Sequence, residues 1–188
     1  MSLAWRIEGF AIVSADGNIA DQNSHMPDVL KNEEDLRFFD QALDSADVLV
    51  HGRHSHEGHE SSHERRRLIL SRRVAAIGPC PEASNSLLWN PAGATLTQAC
   101  EALGLSGGFA AVLGGPEVYS LFLDIGYDVF HLSRSHRVKL PGGLPLFARH
   151  SGSADEALRR AGLTPALERQ LDPTNGVTLV EWRKRPAA

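Results

Sequence analysis

The stretch Val112-Leu113-Gly114-Gly115-Pro116-Glu117-Val118-Tyr119-Ser120-Leu121-Phe122-Leu123 joins an apolar run to an amphipathic one through two glycines and a proline. Phe109 to Leu113 reads as a buried strand. Pro116 suits the first position of a helix, where its missing N–H has no intrahelical partner to lose and its φ is already helical. Val118, Leu121, Phe122 and Ile125 then recur at helical spacing and mark the face expected to be buried. A strand therefore turns through Gly114-Gly115 directly into a helix. Two residues without Cβ let another molecule approach the backbone. The first N–H groups of the helix lack intrahelical acceptors and lie at the positive end of its dipole, which suits a phosphate. A tight turn that binds nothing has the same sequence, and a full phosphate-loop motif is absent, so both readings stand at this point.

Two other strand ends carry similar chemistry. Val48 to Val50 is a short buried strand running into His51-Gly52-Arg53-His54-Ser55, again strand, glycine and helix start. Arg53 can fork onto a phosphate, or serve as an ordinary surface ion-pair partner. Leu68 to Leu70 is another strand, followed by Ser71-Arg72-Arg73. If these strands neighbour the central one, their ends outline a single elongated groove with a cation in its middle. That shape suits a dinucleotide bound at the C-terminal ends of parallel strands.

Elsewhere the chain alternates strand and helix. Ile7 to Val13 is an apolar, central strand ending in the turn Ser14-Ala15-Asp16-Gly17-Asn18, where Asp16 is an ordinary turn former. Asn32 is an N-cap, with Asp35 as a shortened capping-box acid, for a helix through Leu43 that buries Leu36, Phe39 and Leu43. Asp35 lies one turn before Phe39, at the edge of that face, as either a solvated helix-start charge or an acid turned into a pocket. Val74 to Ile77 is a candidate strand, Gly78-Pro79-Cys80-Pro81 a break, Leu87 to Trp89 a short apolar piece, and Thr95 to Leu103 a helix. Val129 to Ser133 is a further strand, Pro141 to Phe147 a loop and Ala154 to Ala161 a helix. Leu167 to Leu171 and Val177 to Trp182 form a closing hairpin. The pattern gives an α/β fold with one mixed, mostly parallel sheet flanked by helices and an antiparallel finish.

The 188 residues suit one domain over 1–188. A formal net charge of −4 suggests no nucleic-acid partner. No uncharged run is long enough for a membrane span, and Arg6 and Glu8 interrupt the apolar start too early for a signal peptide. Cys80 and Cys100 form no metal or redox spacing, so a reduced, cytoplasmic setting is the expectation. His51, His54, His56, His59 and His63 cluster with Glu57, Glu60 and Glu64, but without an HExxH pattern; a solvated histidine-rich segment is expected rather than a metal site.

Taken together, the motifs resemble the dihydrofolate reductase superfamily, closest to the reductase domain of bacterial riboflavin biosynthesis. Ser14-Ala15-Asp16-Gly17-Asn18-Ile19-Ala20 looks like the S-x-D-G-x-I-A turn of the riboflavin-type branch. Glu34-Asp35-Leu36-Arg37-Phe38-Phe39 is similar to the acid-bearing helix of the folate enzymes. Gly52-Arg53-His54-Ser55-His56-Glu57 resembles the G-R-x-T-x-E cofactor segment, and Leu70-Ser71-Arg72, Leu113-Gly114-Gly115 with Tyr119, Asp128 to Ser133, Gly142 to Phe147 and Asn175-Gly176-Val177 follow in family order.

The resemblance implies a three-layer α/β/α fold and NADPH as hydride donor to a pterin- or pyrimidine-like small molecule. By position, Gly52, Arg53, His54 and Ser55 would hold the pyrophosphate and adenosine phosphate. Ser71 and Arg72 would sit near the 2′-phosphate. Leu113, Gly114, Gly115, Glu117, Val118 and Tyr119 would line the pyrophosphate and the nicotinamide end, with a cis peptide between the glycines. Ala11, Ile12 and Ile19 would border the nicotinamide. Asp35 would be the catalytic acid. Ile12, Phe39 and Ser133 would line the substrate pocket, and Asp16 would contact a ribityl-type substrate. Riboflavin-type relatives imply a homodimer. Where the folate enzymes carry tryptophan after Met-Pro, Met26-Pro27 is followed by Asp28. Pro116 follows the glycine pair, and Gly58 to Arg67 lacks the usual Pro-Gly turn, so folate itself is not the expected substrate. A non-catalytic nucleotide-binding protein on this scaffold, or a histidine-dependent metalloprotein, are the competing functions.

Overall fold

Alternation along the strands sets the layers, because successive strand side chains point to opposite faces. In the computed structural model, which describes residues 5–55 and 64–184, Phe109 and Ala111 of β7 (Gly108–Gly114) face one way and Ala110 and Val112 the other. Leu49 of β3 (Val48–Gly52) joins the first set, and Val48 and Val50 the second. Helix α1 (Glu33–Asp44) covers the first face with Phe38, Phe39, Ala42 and Leu43. Helices α2 (Leu96–Ala102), α3 (Pro116–Ile125) and α4 (Ala154–Arg160) cover the second, larger core, through Ala99, Phe122 and Leu158. The result is a sheet between two helical layers.

Strand β1 (Trp5–Ser14) lies at the middle, parallel to β7 on one side and to β8 (Val129–Ser135) on the other. Beyond β7 come β3, β4 (Arg67–Leu70) and β6 (Ser86–Trp89), all parallel, with β5 (Ile77–Pro79) antiparallel at the edge. Beyond β8 comes the antiparallel β12 (Val177–Lys184), on which β10 (Leu163–Pro165) and β11 (Arg169–Asp172) pair. A small second sheet joins β2 (Asn18–Ala20) to β9 (Leu144–Pro145).

Local chemistry fixes the helix ends. The Asn32 side chain accepts from the N–H groups of Glu34 and Asp35, at 3.1 Å each. Thr95 and Ser153 open α2 and α4 with reciprocal capping boxes. Gly126, at φ 110°, stops α3.

Several expectations are corrected. Leu36 and Ile125 are each 42% exposed rather than core. The inward stripe of α1 runs through Phe38, Phe39, Ala42 and Leu43 instead. That of α3 runs through Val118, Tyr119, Phe122 and Leu123, and Ile125 is its last residue. The Gly78-Pro79 break is part of β5, an edge strand, where a proline forfeits no ladder bond. The loop from Pro141 contains β9, and Leu167, 94% exposed, precedes the hairpin rather than forming it.

Candidate active site

The three suspect turns are neighbours. In the sheet order β7, β3 and β4 are consecutive and parallel, with His51 opposite Gly114 and Gly52 opposite Leu70. Gly114-Gly115, Gly52-Arg53 and Ser71-Arg72 therefore emerge side by side at one edge of the sheet. The Gly114–Gly115 peptide is cis.

The glycines differ in what they are for. Gly114 has φ 102°, and a Cβ there would lie 2.5 Å from the Tyr119 ring, so the protein's own packing demands glycine. Gly52 is under no such demand. A Cβ on it would meet only Val118 at 3.7 Å and Gly114 O and Gly115 N at 3.8 Å, all ordinary contacts. Its missing side chain leaves room beside the glycine pair that the fold alone does not require. A Cβ on Gly115 would lie 3.2 Å from the Ser55 hydroxyl.

Charge gathers along this edge. Arg53, His54 and Arg72 are exposed, and among the described residues no ion pair engages Arg53 or Arg72. Ser71 is buried, and its hydroxyl accepts from the Arg73 N–H at 3.2 Å. Leu113 and Val118 are packing residues. Glu117, in the first turn of α3, pairs with Arg149 at 2.9 Å. Tyr119 is fully buried, and its hydroxyl donates to the Phe10 carbonyl, which fastens α3 to β1.

On the face that it covers, α1 itself supplies an acid, Asp35. The Asp35 residue is half-buried, but its carboxyl is turned inward and desolvated. Burial pushes it up from the ordinary 3.8 to about 6, while a hydrogen bond with Ser133 pulls the other way. Ser133 is 1% exposed and lies opposite Ile12 in the β1–β8 register. Tyr119 is raised by burial first and by the Asp35 charge second, so the acid and the phenol share one electrostatic neighbourhood. Ile12, Asp35, Phe39 and Ser133 thus meet on one face. Ala11 and Ile19 pack against the opposite core.

Asp16 does not join them. Its carboxylate accepts from the Ser14 hydroxyl at 2.5 Å and from the Leu140 N–H at 3.0 and 3.1 Å, and the Ser14 bond leads in holding it below the usual range. It lines a separate cleft of about 220 Å³ with Arg134, His150 and Ala157. Of the histidine cluster, His56, His59 and His63, with Glu57 and Glu60, lie outside the described residues, as does the helix start expected after Ser55. Among the described residues no group of His, Cys, Asp and Glu could hold a metal ion. None of the described helices is long and apolar enough to cross a membrane.

Sequence reading missed two features of the site, the Tyr119 tether and a pairing of His51 with Arg67. Both depend on which strands are neighbours, and no local motif encodes that.

Solved structures agree with this architecture. The chain is similar to a diaminohydroxyphosphoribosylaminopyrimidine deaminase/5-amino-6-(5-phosphoribosylamino)uracil reductase from Thermotoga maritima, with TM-score 0.67, 18% identity and 97% of this chain covered. It spans 57% of that protein's length. A riboflavin biosynthesis protein assigned in Shewanella sp. PV-4 gives TM-score 0.66 at 18% identity, covering 96% of this chain and 99% of the other. Dihydrofolate reductase from Enterococcus faecalis, complexed with NADP(H) and RAB-propyl, gives 0.65 at 14% identity, covering 99% and 100%. No protein-family model and no curated protein sequence matches the chain. The fold is dihydrofolate reductase-like.

Proposed function

We propose that the chain is a reductase that takes hydride from NADPH and delivers it to a pterin- or pyrimidine-like small molecule. The observation that supports this most is Asp35, a carboxyl desolvated by burial and raised to about 6, with the buried Ser133 beside it near a run of parallel strand ends. A fold alone would not bury an acid there; burying a carboxylate costs stability, and such costs gather at functional sites.

The residues fit a dinucleotide. Room beside Gly52 admits a phosphate chain close to backbone, and Arg53 and Arg72 would neutralise its charge. When bound, the coenzyme supplies a hydride from its reduced nicotinamide ring. The chain's own part is orientation and proton control. Ser133 fixes the Asp35 carboxyl, and Phe39 and Ile12 supply apolar walls. In its protonated form Asp35 donates to a ring nitrogen of the acceptor; ionised, it accepts from a ring N–H.

The test is NADPH oxidation, followed by loss of reduced-nicotinamide absorbance, against a panel of pterins and ribosylamino-pyrimidines. One acceptor should turn over, and Asp35→Asn should slow it by about 100-fold with NADPH affinity unchanged. A protein that binds NADPH but oxidises it with no acceptor would be a nucleotide-binding protein instead.

A further inference from the structure

His51 is buried at 3% exposure and Arg67 at 7%, in the floor beneath the Gly52 turn. Nδ1 of His51 lies 2.7 Å from the Gly52 carbonyl, and Nε2 lies 3.2 Å from Nη1 of Arg67. A carbonyl only accepts and a guanidinium only donates, so the two contacts together specify the ring. In these two contacts Nδ1–H is the donor to the Gly52 carbonyl and Nε2 the acceptor from Arg67. The Gly52 carbonyl also accepts from the Ser55 N–H at 3.1 Å.

We infer that Arg67 and His51 form a relay that positions the 52–55 turn for the coenzyme phosphates. This rests on the NADPH reading above. Arg67 holds the histidine tautomer; the histidine holds the Gly52 carbonyl; the carbonyl orients the turn that carries Arg53, His54 and Ser55. The peptide plane is rigid, so fixing one carbonyl fixes the direction of everything attached to it. Both are positioning residues. They touch neither the reacting atoms nor the acceptor.

A spectroscopic readout needs no variant. Long-range proton–nitrogen NMR of the histidine side chains should show His51 as the neutral Nδ1–H form at pH 7. Assignment follows from the signal lost in His51→Leu or His51→Asn. The Nε2–H form or a charged ring overturns the relay. NADPH titration, read by fluorescence, supplies the functional arm. His51→Leu should raise the NADPH Kd by about five- to tenfold, as expected for one lost hydrogen bond, with kcat at saturating NADPH unchanged. His51→Asn, whose amide can still donate to Gly52 O, should recover most of that loss. Equal Kd values for wild type and His51→Leu at wild-type melting temperature overturn the relay alone. A wild-type protein that forms no NADPH complex overturns the coenzyme reading, and the relay's role with it.

Discussion

Asp35 carries a measurable cost. Its folded-state pKa of about 6 exceeds the ordinary 3.8, with burial as the leading cause. Between those values the native protein holds a proton that the unfolded chain releases, so stability falls as pH rises through that window and stays lower above it. A shift of two units corresponds to roughly 3 kcal/mol. Asp35→Asn should therefore be more stable than wild type by up to roughly 3 kcal/mol at pH 8 and nearly equal to it at pH 4. Urea unfolding at the two pH values measures this; a gain of the same size at both would deny the carboxyl its buried setting. The same substitution should act oppositely on activity. If protonated Asp35 is the donor, kcat/KM should decline as pH rises through about 6, and the Asn variant should be slow and flat with pH. Arg53 acts on the coenzyme instead. Arg53→Ala should weaken NADPH by about 1.5–3 kcal/mol and NADH by less. Equal losses for the two coenzymes would take Arg53 away from the 2′-phosphate.

The strand-to-helix turns show how one residue type serves two ends within similar elements. Gly114→Ala places a Cβ against the Tyr119 ring at a φ of 102°, and should cost about 2–4 kcal/mol of stability. Gly52→Ala meets only ordinary contacts. It should leave urea stability within about 1 kcal/mol of wild type, yet raise the NADPH Kd at least tenfold by filling the space beside the glycine pair. If the alanine protein binds NADPH normally, Gly52 is merely a tolerated glycine. The sequence shows both as glycines at strand ends and cannot tell them apart, because the difference lies in what stands opposite each Cβ position. Chemistry local to a few residues was legible: the Asn32 cap, the helix beginning near Thr95, Pro116 at the head of α3, the turn at Gly17, and the glycine-pair turn itself. Positions that depend on rotation about an axis were less so. Reading α1 with Leu36 on its inner face turns the helix by about 60° from its packing through Phe38, Phe39, Ala42 and Leu43. Spacing placed Asp35 at the edge of the expected stripe and left its direction open; its inward turn, like its partner Ser133 on a strand about a hundred residues away, came from resemblance, and the observed stripe through Phe38, Phe39, Ala42 and Leu43 surrounds it.

At the scale of the molecule the groove edge gathers segments far apart in the chain. Gly52-Arg53, Ser71-Arg72 and Gly114-Gly115 end three parallel strands that neighbour one another only after the sheet has formed. A ligand that touches all three can be bound by the folded sheet and not by the unfolded chain, which lacks the juxtaposition altogether. Mass action then converts affinity into stability: NADPH at one hundred times its Kd should add ~2.7 kcal/mol. For a protein of this size that corresponds to a rise of about 5–10 °C in melting temperature. The rise should grow with the logarithm of NADPH concentration, and Gly52→Ala should show a smaller rise than wild type at equal NADPH. Arg53→Ala should lose more of the rise with NADPH than with NADH. Scanning calorimetry over a concentration series of each coenzyme reads all of this directly. A melting temperature indifferent to NADPH up to millimolar levels would mean that the three turns, though contiguous, do not form a dinucleotide site, and Asp35 would then need an explanation outside hydride transfer.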